Sequence, residues 1–110
     1  MPKTIRKFWP ERFFGRAVLN FNWDAIDTDS VVLVTASLYV PQQNPPAGAN
    51  LQRVDNPSVA IRVDNISPHG PPFDPNRGVT FVVTIGELFP AEGFIATDIT
   101  VLDKPVEIQS

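Results

Sequence analysis

The stretch VLNFNWD alternates strictly, with Leu19, Phe21 and Trp23 on one side and Asn20, Asn22 and Asp24 on the other. Period two is what a half-buried antiparallel strand requires, because successive side chains point to opposite faces. The acidic run DAIDTDS predicts a turn. SVVLVTASLYV (30–40) then predicts a central strand, apolar on both faces at its start, covered on both sides and ended by Pro41. SVAIRVDNI (58–66) places Val59, Ile61 and Val63 inward against Arg62 and Asp64. GVTFVVTI (78–85) does the same with Val79, Phe81, Val83 and Ile85 against Thr80 and Thr84. In FIATDITVL the inward register changes between Phe94, Ala96 and Ile99, Val101, which predicts a bulge near Thr97 and Asp98. PVEIQ offers Val106 and Ile108 as a last short strand, with Pro105 suited to a sheet edge.

The segments between are loops by composition. PQQNPPAGAN (41–50) and SPHGPPFDPNRG (67–78) are proline-stiffened, and GELFPAEG leaves room for one helical turn. Six or seven strands with frequent turn signals predict an all-β chain. The expected form is a single antiparallel β-sandwich of immunoglobulin-like size, Greek-key or meander, with a small β-barrel as the alternative. RVDN occurs at 53–56 and again at 62–65, and two copies are too few for a repeat architecture.

Composition agrees with this picture. A chain of 110 residues, 43% apolar, can bury one core of moderate size, and its 12 prolines disfavour helix. Cysteine is absent, which excludes disulfides, thiolate nucleophiles and cysteine-ligated metal centres. The opening MPKTIRKFWPERFFGRA is interrupted by charges and a proline, so no signal peptide is expected there. No run reaches the roughly 18 apolar residues of a membrane-spanning helix.

Charge changes the picture at the N-terminus. Residues 1–16 carry Lys3, Arg6, Lys7, Arg12 and Arg16 against Glu11, a charge of +4, and since the whole chain is at −3 the remaining residues carry −7. The sequence thus divides into a basic, aromatic arm (1–16) and an acidic sandwich domain (17–110). Arg6, Lys7, Phe8, Trp9, Arg12, Phe13 and Phe14 are the residue types that dominate protein interfaces, so the arm is expected to dock on a protein partner, copies of the same chain or a larger assembly. Two other fates compete. The aromatics could cover the chain's own sheet, with Pro10 opening a helical turn that Gly15 stops. Nucleic acid could bind basic groups interleaved with aromatics, although the acidic body opposes it.

Other candidate chemistry is weaker. Asp24, Asp27 and Asp29, with Asp74 and Asn76 from another loop, would be the oxygen donors of a calcium site, but the spacing is not that of an EF-hand and Asp is a favoured turn former. No metal and no other cofactor is predicted. His69 is the only histidine, expected to be a solvated loop residue, and Glu87 and Glu92 share one short connection rather than facing across a cleft. No catalytic residues are assigned, and the chain reads as a non-enzymatic structural or assembly module. A virion or phage-particle accessory protein, or a subunit of another surface assembly, would fit such a domain. Phe73 between prolines is a candidate anchor with Arg77 at its rim, unless it folds back over the end of the domain. The runner-up is a carbohydrate- or receptor-binding domain with Trp23, Tyr39 or Phe73 as an aromatic platform.

Overall fold

The computed structural model describes residues 2–41, 51–53, 60–86 and 92–109, and every regular element among them is a β-strand. The strands are β1 (Lys3–Phe14), β2 (Arg16–Asn22), β3 (Val31–Pro41), β4 (Leu51–Arg53), β5 (Ile61–His69), β6 (Gly78–Ile85) and β7 (Glu92–Leu102). They form two antiparallel sheets, ordered β1-β7-β3-β4 and β2-β6-β5. The inward faces of both sheets supply one core: Leu19, Val79, Phe81, Val83 and Ile85 from the second, Val32, Val34, Ile95, Ile99 and Val101 from the first. Ile26, fully buried, joins them from the connection between β2 and β3.

The opening segment is built into this body. β1 pairs with β7 from Lys3 opposite Val101 to Phe8 opposite Ala96, slips, and resumes from Arg12 opposite Phe94 to Phe14 opposite Glu92. The slip brackets Pro10, which has no N–H to give a ladder, so the expected helical turn is instead an irregularity within an edge strand. Gly15, at φ +66°, turns the chain from the first sheet into the second, a backbone conformation that costs glycine little. The division between 1–16 and 17–110 therefore falls one residue into β2, within one core.

Several expectations need correction. β7 pairs with β3 without a slip, from Val31 opposite Leu102 to Tyr39 opposite Phe94, so the bulge near Thr97 and Asp98 is absent. Ile95, Thr97, Ile99 and Val101 all face inward. Thr97, fully buried, disguised the period, and it fits the core because its hydroxyl accepts a 3.0 Å hydrogen bond from Trp9 Nε1. Tyr39 and Phe94 pack on the opposite face with ring centroids 5.6 Å apart. β3 is not covered on both sides, since Leu33 on its outer face is exposed.

β5 runs on through Ser67 and Pro68 to His69, shortening the expected loop. A register shift between Asp64 and Ser67, with Asn65 at φ 51°, lets the strand continue, and Pro68 is tolerated because β5 is the edge of its sheet. Residues 105–109 form no strand; Val106 and Ile108 are exposed. The helical turn expected in GELFPAEG, Val59, and most of the loop 41–50 and of the first RVDN copy lie outside the described residues.

Deleting residues 1–15 is expected to abolish cooperative thermal unfolding, measured by circular dichroism. It strips β7 of one ladder and removes Trp9 and Phe13, worth ~3–6 kcal/mol together at the usual value of a buried aromatic, a large share of a typical domain's stability. A truncated chain that melts at the parent temperature would contradict this role for β1.

Candidate docking surface

The aromatic and basic residues of β1 are largely engaged within the chain. Arg6 donates two hydrogen bonds to the Asp98 carboxylate, at 2.7 and 3.0 Å, directly across the β1–β7 pair. Lys7 Nζ lies 5.5 Å from the Trp9 ring centroid, and the Arg12 guanidinium 5.3 Å from that of Phe94. Trp9 meets Phe81 edge-on, its indole N–H satisfied by Thr97 and its carbonyl by the Tyr39 hydroxyl at 2.7 Å. Burial raises the Tyr39 pKa, which keeps that hydroxyl a donor. Phe8 packs edge-on against Tyr39 and stays partly exposed, while Phe13 packs against the core. The Phe14 side chain lies outside the described residues.

A different surface forms where the connection 23–30, the loop 70–77 and the start of the 103–109 segment meet. The chain folds this way locally because both loops are held by short-range bonds. Ile26 N–H donates to the Trp23 carbonyl at 3.1 Å, and Ser30 N–H to that of Asp27 at the same distance. In the second loop, Asp74 N–H donates to the Gly70 carbonyl at 3.0 Å, and the Asp74 carboxylate accepts from the Asn76 N–H at 2.8 Å. Trp23 N–H donates to the Arg77 carbonyl at 2.8 Å and joins the two.

His69 is not the solvated loop residue expected from sequence. It closes β5, with Nδ1 2.8 Å from the Asn76 carbonyl and Nε2 2.6 Å from the side-chain oxygen of Asn20, which also accepts from the Thr80 hydroxyl at 2.9 Å. The loop is thus clamped to β2 and β6. At its tip Phe73 is 86% exposed, so it does not fold back over the domain.

The acidic turn is organised by cations of the same chain. Lys104 Nζ lies 3.0 Å from both Asp27 Oδ2 and Asp29 Oδ1, and Arg77 Nη1 is 3.4 Å from Asp27 Oδ2. Hydrogen bonding with Asp29 and then with Lys104 lowers the Asp27 pKa to about 2. The same contacts raise that of Lys104. Among the described residues no group of three or more His, Asp or Glu side chains is arranged to hold a metal ion. Asp24 stands apart as an exposed turn residue; Glu87 and the Glu92 side chain lie outside the described residues.

The sequence reading placed Phe73 and Arg77 in one loop but missed three residues on which these surfaces rest. Lys104 had no local signal, being 77 residues from Asp27. Thr97 and the Tyr39 hydroxyl matter only through Trp9, which no spacing reveals. Of the three platform candidates, only Phe73 is open: Tyr39 is buried, and Trp23 is half-buried with its ring edge-on to Phe21. Compared with protein-family models, with curated proteins and with solved structures, the chain gives no match.

The lowered Asp27 pKa fixes a pH dependence. A carboxylate with a native pKa of about 2 against an unfolded value of about 3.9 adds stability above pH ~4 and loses it as pH falls toward ~2. Asp27→Asn is therefore expected to lower the urea midpoint at pH 7, and the gap to the parent should close between pH ~4 and ~2. A gap of constant size would show that its contacts act other than through charge. Because Lys104 and Arg77 occupy the Asp27 carboxylate, a calcium chelator is expected to leave the thermal midpoint unchanged in differential scanning fluorimetry.

Proposed function

We propose that this chain is a non-enzymatic assembly module, a small β-sandwich of immunoglobulin-like proportions that docks onto neighbouring copies of itself. The observation that carries the reading is Phe73, an aromatic ring 86% exposed on a loop clamped by His69, Asp74 and Asn76. An exposed aromatic on a pre-ordered loop loses little conformational entropy on binding, which is the property of an interface anchor.

Charge supports the choice of partner. Where the Phe73 loop meets the connection 23–30 and the start of the 103–109 segment, the chain gathers Asp27, Asp29, Asp74 and Asp103 against Arg77 and Lys104. Along β1 and into β2 it carries Lys3, Arg6, Lys7, Arg12 and Arg16 against Glu11. Two different patches of opposite sign on one chain suit a head-to-tail contact, in which the acidic loop end of one copy meets the basic strip of the next. In this arrangement Phe73 and Arg77 form one half of the contact. The polar ends of Arg6, Lys7 and Arg12, with the exposed edge of Phe8, form the other, while Trp9 and Phe13 hold the strip in place from inside.

A carbohydrate-binding reading now rests on Phe73 alone, since Tyr39 is buried. One experiment separates the two. Sedimentation velocity over a concentration series is expected to show self-association that Phe73→Ser weakens about thirtyfold, the scale of a lost aromatic hot spot, and that rising salt also weakens. A chain that stays monomeric but binds immobilised glycans through Phe73 would replace assembly with the second reading.

A further inference from the structure

Two features of the fold have no partner among the described residues and match each other. The first is the outer edge of β2, which among the described residues pairs with β6 alone. The edge strand of the other sheet, β1, carries the devices that discourage strand addition: Lys3, Arg6, Lys7 and Arg12 along its length, and a register slip around Pro10. β2 has none of these beyond Arg16 at its start. It runs seven residues in unbroken register, without proline or lysine, and Val18 on its outer face is 59% exposed.

The second feature is the segment 105–109. PVEIQ has the alternation of a strand, yet it pairs with nothing among the described residues, and Val106 and Ile108 stand in solvent. Its base is fixed by Lys104 on Asp27 and Asp29, so the segment projects from an ordered point.

We propose that the 105–109 segment of one copy adds to the open edge of β2 in a second copy as an antiparallel strand. Backbone hydrogen bonds of β2 would be satisfied by the incoming strand, the usual source of affinity in strand addition. The register that places Glu107 opposite Val18 sets Val106 beside Leu19 and Ile108 beside Ala17, which continues the apolar inner face of the sheet. It also brings Glu107 diagonal to Arg16, within reach of a long side chain. Neither Arg16 nor Glu107 has an ion pair among the described residues, where the Glu107 carboxylate accepts a 3.1 Å hydrogen bond from Gln109 Nε2, so this contact brings together two opposite charges that no salt bridge holds within the chain. The contact is independent of Phe73. It joins unlike surfaces, so repetition gives a ring or an open chain of copies.

The absence of cysteine allows a direct test in the full chain. Val18→Cys and Gln109→Cys place thiols on the outer face at diagonal positions, about 7–8 Å apart in the proposed register, and leave Glu107 in place. Treating the double variant with a short bis-thiol linker is expected to give a ladder of covalent multimers on a denaturing gel. The same ladder should form with Phe73→Ser added, which keeps this contact distinct from the loop-end contact. Val106→Asp with Ile108→Asp should abolish the ladder and, in the parent chain, weaken association about a hundredfold, on the scale of two lost apolar side chains. Amide exchange at β2 should slow as parent concentration rises. A cross-linked monomer, meaning the segment closes on its own β2, would overturn the proposal. So would the absence of cross-links together with β2 exchange that does not depend on concentration.

Discussion

The pairing of β1 with β7 is the contact on which the rest of the structure depends. Among the described residues β7 is the only strand of the first sheet with long neighbours on both sides, β1 on one and β3 on the other. Its inward row would be left with a bare polar atom at Thr97 if Trp9 were absent, because a buried hydroxyl without a partner costs about 1–3 kcal/mol. Trp9 therefore does three things at once. Its ring covers Phe81 of the opposite sheet, its indole N–H satisfies Thr97, and its carbonyl accepts from Tyr39 on β3. One residue near the N-terminus ties three other strands together.

This pairing also accounts for the composition of the first 16 residues. A strand at the edge of a sheet must be apolar toward the core and unattractive toward other strands. Trp9 and Phe13 meet the first need, and the cations with Pro10 meet the second. The same cations are not wasted on solvent: Arg6 pairs with Asp98, Lys7 lies over Trp9 and Arg12 over Phe94. A run that looks like a detached interaction arm in sequence is, in the fold, a protected edge strand whose polar ends still face outward.

Legibility in the sequence followed the physics of each element. β6 was readable to the residue, because its inward side chains are all apolar and its bounds are set by Gly78 and Gly86. A side chain at Gly78 would collide with the Phe21 carbonyl, so that glycine marks a close approach as well as a strand end. β2 was nearly as clear. β7 was misread because period two assumes that core positions are apolar, and Thr97 is a core position made acceptable only by a residue 88 positions away. β1 was missed because Pro10 and the cations break the pattern that an interior strand would show. The clamp on the Phe73 loop was invisible for a similar reason. The prolines of 67–78 announced a loop, but nothing local tied His69 to Asn20, 49 residues earlier.

Topology adds a further reason for the distribution of charge. The first strand pairs with the last, so β1 cannot reach its ladder until β7 is available, and contacts of such sequence separation form late because loop closure precedes them. Until then Phe8, Trp9 and Phe13 are exposed on a segment that would be a strong aggregation template if it were neutral. Interleaving them with Lys3, Arg6, Lys7, Arg12 and Arg16 keeps the segment self-repelling while it waits. Once β1 docks, Arg6 meets Asp98 across the ladder, and there repulsion gives way to attraction. The charge asymmetry thus protects the unpaired strand before folding and favours its docking afterwards, and the part of it left on the surface is what a neighbouring copy would meet.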